Sequence, residues 1–181
     1  MRTLIIASIL ILLPGAPTLA QLPSPNEVDH TAVKTTIDGQ AVYEVGFEKL
    51  AAFPYEIVDA ATGATPEEIE AAKADDQVPD WIRVYDRERI ALTGYMLPLK
   101  VEDGLTTKFI MMRDVSTCCF GNVPNMNEYV IVSMTADGIA PVQDVPVVLI
   151  GTFRIEEVYD ETGYLTSLFQ MDGEKFLGPR T

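Results

Sequence analysis

From about Trp81 onward, apolar and polar residues alternate with the period of two that marks half-buried strands. Five runs carry the pattern: Arg89–Leu99 (RIALTGYMLPL), Leu105–Met112 (LTTKFIMM), Glu128–Met134 (EYVIVSM), Val145–Ile155 (VPVVLIGTFRI) and Gly163–Met171 (GYLTSLFQM). Turn residues separate them. Glu102-Asp103-Gly104 follows the first run, and Asp160-Glu161-Thr162-Gly163 joins the last two as a hairpin. Gly94 and Gly151 fall inside runs, where glycine marks a bulge or tight coiling. Five short strands with such glycines predict a mainly β fold with minor α: a small, strongly bent, five-stranded OB-like barrel preceded by a short αβ extension. An eight-stranded barrel or a sandwich is the alternative.

The upstream half is mixed. AVYEVGFEKLAAFPYEIV (41–58) predicts a strand near Ala41–Val45, a helical turn around Phe47–Ala52 and an extended piece through Pro54-Tyr55. TPEEIEAAKADD then predicts a short helix. Thr65 caps it, Pro66 suits its first position, Glu68 completes a capping box, and Pro79 ends it. QLPSPNEVDHTAVKT, from Gln21, is polar and proline-containing and reads as a flexible leader. His30 lies in it and reads as a solvated bystander. The expected organisation is residues 1–20 as a signal peptide, 21–40 as a leader, and 41–181 as a single domain.

The first twenty residues change the picture. Arg2 precedes an uncharged run from Leu4 through Leu13, Pro14-Gly15 breaks it, and small residues lead to Ala20. This is the layout of a secretory signal peptide, with Thr18 and Ala20 in the small-residue positions and cleavage expected after Ala20. The run is shorter than the ~20 residues a membrane span needs. No cysteine stands near the cleavage site, so neither a lipid anchor nor any other membrane anchor is expected after processing, and the expected location is the periplasm.

Composition excludes more than it assigns. The chain of 181 residues carries a formal net charge of −14, which repels phosphate backbones, and nucleic acid is not an expected partner. One histidine leaves no Ser-His-Asp or Cys-His arrangement to build. HExxH, P-loop and dinucleotide-binding fingerprints are all missing from the sequence. Glu67-Glu68 and Glu156-Glu157 read as solvated charge, since neighbours on a strand point to opposite faces. No catalytic residue and no resident cofactor is expected.

One segment is chemically unusual. Cys118 and Cys119, the two cysteines of the chain, are adjacent in STCCFGNVPNMNE (116–128). Adjacent Cα atoms lie about 3.8 Å apart, below the usual disulfide range of roughly 4.4–6.8 Å. A bond between them would be strained and readily reduced. Three readings stay open: inert packing as small apolar residues, a vicinal disulfide, structural or redox-active, in an exported chain, or a soft-metal site. In the last, two thiolates with the Met126 thioether would suit copper(I), or with oxygen ligands zinc.

Read in order, GYMLPLK (Gly94–Lys100), FIMMRD (Phe109–Asp114), CCFGNVPNMNE (Cys118–Glu128) and PVVLIGTF (Pro146–Phe153) resemble an uncharacterised family of bacterial exported proteins, the domain of unknown function 3299. FEKLAAFPYE (Phe47–Glu56) and VPDWIRVYD (Val78–Asp86) extend the resemblance to roughly Val45–Phe176. It implies no established activity. It implies that the family's cysteine pair maps onto Cys118 and Cys119, and it brings no catalytic assignment. By gene association it implies a periplasmic accessory role beside an envelope protein or an ABC transporter component. The expectation is thus an exported, non-enzymatic binding module, with thiol-dependent metal handling or redox work at Cys118-Cys119 as the alternative.

Overall fold

The computed structural model describes residues 30–74, 77–115 and 123–180. Its strands are β1 (Val33–Ile37), β2 (Gln40–Gly46), β3 (Arg89–Glu102), β4 (Leu105–Met112), β5 (Tyr129–Met134), β6 (Val147–Tyr159) and β7 (Leu165–Pro179). Three short helices, α1 (Phe47–Leu50), α2 (Pro66–Ala74) and α3 (Asp80–Arg83), and a 3-10 turn at Ala60–Thr62 complete it. The strands form one sheet in the order β1-β2-β3-β4-β5-β7-β6, and β6 pairs back onto β3. The last five strands therefore close into a barrel-like ring, with β5–β7 parallel and the other contacts antiparallel. The fold is mainly β with minor α and OB-like, as the strand spacing predicts.

Closure depends on β3 and β6 bending. β3 pairs with β6 from Arg89 to Gly94 and with β4 from Tyr95 to Glu102. At the changeover, a Cβ on Gly94 would lie 2.7 Å from the Phe47 ring and 2.8 Å from the Met112 carbonyl oxygen. Gly94 therefore permits a close approach at a tight coil, and its pairing register is continuous, so it is not a bulge. Gly151 does sit at a bulge: the β6–β7 register slips between Ile150 and Gly151. A Cβ there would run into the Asp172 carbonyl oxygen. The β3–β4 turn has Asp103 and Gly104 at φ 52° and 81°, the two left-handed residues of a type I′ hairpin.

Alternation along the ring sends one face of each strand inward. Ile90 and Leu92 from β3, Phe109 and Met111 from β4, Val130 and Val132 from β5, Leu149 and Phe153 from β6, and Phe169 and Met171 from β7 share one core. Phe153 and Phe169 stack with ring centres 5.1 Å apart. Each such side chain contributes about 1.5–3 kcal/mol when fully buried. Phe47, Leu50, Phe53, Ile82 and Tyr85 belong to the same core, so the extension is part of the domain. α2 begins with the expected capping box: the Glu68 amide donates to the Thr65 hydroxyl, and Glu68 accepts from the Thr65 amide at 2.8 Å. Before it, the buried Asp59 carboxylate accepts from the amides of Ala61 and Thr62, and from Leu165 across 106 residues, tying the extension to the β6–β7 hairpin.

Several expectations change. Val33–Ile37, placed by sequence within the leader, pairs with β2 over its whole length. Its five residues form an edge strand, and a polar edge strand carries too few apolar residues to stand out. His30 stacks on Trp81 at 4.0 Å, so it is not a bystander. Asp80–Arg83 is helical where a strand was expected, and Pro79 begins this helix as its N-cap; the preceding helix already ends at Ala74. β3 runs past Pro98 and absorbs it in a register shift. Glu157 is not simply solvated: Tyr55 and Tyr159 both hydrogen-bond to its carboxylate.

Candidate ligand groove

Strand pairing builds a concave surface on the outside of the ring. Glu44 of β2 stands beside Val33 of β1 and Ala91 of β3, and Ala91 stands beside Ile150 of β6. One step along, Gly46, Thr93, Val148 and Gly178 form a second row. Opposed residues share a face, so both rows lie on the outside of the ring. Here a groove of about 1400 Å³ opens, floored by Ala91, Thr93, Gly94 and Val148. Phe47, Phe53 and Pro54 wall one side, and Val33, Ile37 and Leu177 supply further apolar surface. On this same face, Val42, Ala91 and Ile150 form a small cluster separate from the main core, with Ile37 and Val148 packed on it.

Charges are unevenly distributed around this groove. Along the sheet face, Arg89 pairs with Glu174 at 2.5 Å, and Arg89 also donates to Gln40. Thr152 donates to the other Glu174 oxygen at 2.9 Å, and Lys175 pairs with Asp38. Within the groove, Arg113 is neutralised by Glu128 at 3.1 Å, and Lys49 donates to the Thr31 carbonyl oxygen at 2.6 Å. Arg180 makes no ion pair among the described residues. Its guanidinium lies 3.4 Å from the Thr93 hydroxyl, and its amide donates to Pro146, holding it at the groove's end. The arrangement offers an apolar floor with the Arg180 guanidinium at one end, where it can meet an anion, and the Glu44 and Glu48 carboxylates elsewhere in the lining.

Of the residues singled out by sequence, Cys118 and Cys119 lie outside the described residues. The connection that carries them, between β4 and β5, is clamped at its base. The Arg113 amide donates to the Glu128 carbonyl oxygen at 3.1 Å, and the Glu128 carboxylate accepts from the Asn125 amide and side chain. Asn127 is buried and donates to the Phe53 carbonyl oxygen at 2.7 Å. Met126 packs against the core, its sulfur 2.9 Å from the Tyr129 hydroxyl, which also donates to Thr166. The one phenolic proton is shared between that sulfur and the Thr166 carbonyl oxygen, and burial pushes the Tyr129 phenol up to about 12. Because Arg113 lines the groove, the base of the cysteine connection and one groove wall are the same residue. Among the described residues, no group of three or more His, Cys, Asp or Glu side chains is placed to hold a metal ion.

A second polar cluster lies where the extension meets the β6–β7 hairpin. Burial and the Glu157 hydrogen bond raise the Tyr55 phenol, and burial followed by Glu157 raises Tyr159 to about 12. Both phenols donate to the one carboxylate, which ties the extension to the β6–β7 hairpin. Sequence reasoning found neither this cluster nor the groove. The one signal available was GYMLPL, whose glycine marks the groove floor.

A family model for a protein of unknown function, DUF3299, matches residues 55–177. No curated protein matches the chain. The crystal structure of a DUF3299 family protein from Pseudomonas aeruginosa is similar, with a TM-score of 0.54 at 22% identity, covering 78% of this chain and 99% of that one. At that identity the likeness supports the fold. Among the described residues, no helix is long and apolar enough to cross a membrane. The match over most of the ring and its extension places this chain in the DUF3299 family of proteins of unknown function.

Proposed function

We propose that the protein is a non-enzymatic binding module, exported to the periplasm, that serves an envelope system such as a transporter. Its ligand is elongated, with an apolar body that lies on Ala91, Thr93 and Val148 and a carboxylate end that meets Arg180. The groove carries this reading: about 1400 Å³ of concave, largely apolar surface with a guanidinium lacking an acidic partner among the described residues. Such a combination suits a ligand with one fixed polar group and an extended apolar remainder. Export rests on the N-terminal pattern described above. The test is a photo-cross-linking residue placed at Thr93, with Glu67 on α2 as control, in the chain expressed in intact cells. The expected result is an adduct from position 93 that Arg180→Gln weakens, with none from position 67. No adduct from position 93, or equal adducts from both, would count against the groove as a binding site. The alternative is thiol-dependent metal handling or redox work at Cys118 and Cys119, with the Met126 thioether, 2.9 Å from the Tyr129 hydroxyl, as a further soft ligand.

A further inference from the structure

Away from the groove, the outside of the ring carries a second patch, on β3, β4 and β5. Pairing sets Leu97 beside Ile110, and Ile110 beside Ile131, so three apolar side chains line up across three strands. Leu97 is 38% exposed, and Ile110 and Ile131 are half-buried. The next row toward the hairpin sets Lys100 beside Lys108, where the β3–β4 register slips on either side of Lys100, and Lys108 beside Ser133. Lys100 has Glu102 at 3.0 Å, whereas Lys108 makes no ion pair or hydrogen bond among the described residues.

This lysine pair needs an explanation. Like charges directly opposite one another destabilise a sheet. Lysines guard exposed edges against unwanted pairing, but β4 has β3 on one side and β5 on the other, so Lys108 guards no edge. The chain as a whole carries −14, whereas Lys100, shared with Glu102, and Lys108, with no ion pair among the described residues, leave a local positive charge beside the apolar row. We infer that this face docks an acidic amphipathic helix of a partner protein. The helix sets its apolar ridge on Leu97, Ile110 and Ile131 and its carboxylates on Lys100 and Lys108. The dimensions agree: two strand spacings are about 10 Å, close to the two helical turns, about 11 Å, that separate residues i and i+7. The inference does not depend on the groove.

The probe is a fluorescein-labelled helical peptide of about four turns, with leucines on one face, glutamates on one flank and alanine elsewhere. A twin carries lysine for every glutamate. Anisotropy titrations with the full chain at low salt should show the acidic peptide binding roughly tenfold or more tightly than its twin, with the difference shrinking as salt screens it. Lys100→Glu with Lys108→Glu should reverse the preference, and Thr93→Trp, which fills the groove, should leave it unchanged. Equal binding of both peptides, no binding of either, or no change in the double variant would overturn the inference. So would lysine-dependent binding to phosphatidylglycerol vesicles without peptide binding, which would assign the patch to a lipid surface. Circular dichroism melts of each variant establish that the fold is intact.

Discussion

Two apolar patches sit on the outside of the same ring, and they are treated oppositely. Val42, Ala91 and Ile150 are buried and bordered by pairs of opposite sign, Arg89 with Glu174 and Lys175 with Asp38. Leu97, Ile110 and Ile131 are only partly covered and bordered by two lysines. Both rows arise from the same pleat, so strand geometry does not distinguish them. The side chains around them do. Opposite charges draw aliphatic stems across apolar surface and make it part of the fold. The second patch has one such pair, Lys100 with Glu102, and beside it Lys108, which makes no ion pair among the described residues.

The largest expected effect separates the patches by burial. Ile150→Ala should destabilise by about 3 kcal/mol, within the range for buried large-to-small changes, while Ile110→Ala should cost less, about 1.5 kcal/mol, because part of its side chain already faces water. Urea unfolding of both variants checks this, and equal losses would make the second patch structural too. Gly151→Val comes next. With no room beside the Asp172 carbonyl oxygen, it should cost about 3 kcal/mol and lower the melting temperature without changing the groove's chemistry.

Charge removal should then act with opposite sign at the two patches. Arg89→Met should destabilise by roughly 1 kcal/mol, less at high salt. Lys108→Thr should be neutral or stabilising by a few tenths of a kcal/mol, since it relieves a cross-strand repulsion. Thermal melts at low and high salt decide between these. The smallest effect is confined to alkaline pH. Tyr129, on the strand beside the open patch, has its phenol raised from 10 to about 12 by burial. The unfolded chain therefore ionises first. The stability linked to this phenol is fully present below pH 10 and is lost as pH climbs toward 12. Tyr129→Phe should flatten that alkaline limb, measured by urea unfolding at pH 9 to 12.

The ring was legible because each of its strands alternates, and because Asp103-Gly104 and Gly163 stop the alternation where hairpins turn. The capping box at Thr65 and Glu68 was legible for the same reason: local chemistry with a fixed spacing. β1 was not, because VKTTI is mostly polar and gains its order from β2. α3 was missed because Trp81-Ile82 and Val84-Tyr85 look like strand residues until Pro79 sets the first turn. The outer arms of β6 and β7, out to Tyr159 and Pro179, are charged or glycine-containing and lack an inward face to betray them. The groove was invisible for a deeper reason. Val33, Glu44, Ala91 and Ile150 become neighbours only through pairing between strands far apart in sequence, and Arg180 joins them only because β7 ends beside β6.

The central claim is that the groove beside Thr93 and Arg180 holds a ligand. The most direct test is native mass spectrometry of the protein purified without detergent from the cells that express it, beside Thr93→Trp prepared identically. The account predicts a wild-type species heavier than its polypeptide, the excess released on denaturation, and no such excess in the variant. An excess that survives in Thr93→Trp but disappears when Cys118 and Cys119 are alkylated would contradict it and point to the cysteine pair. A wild-type mass equal to the polypeptide alone, unchanged after incubation with envelope extract, would contradict it outright.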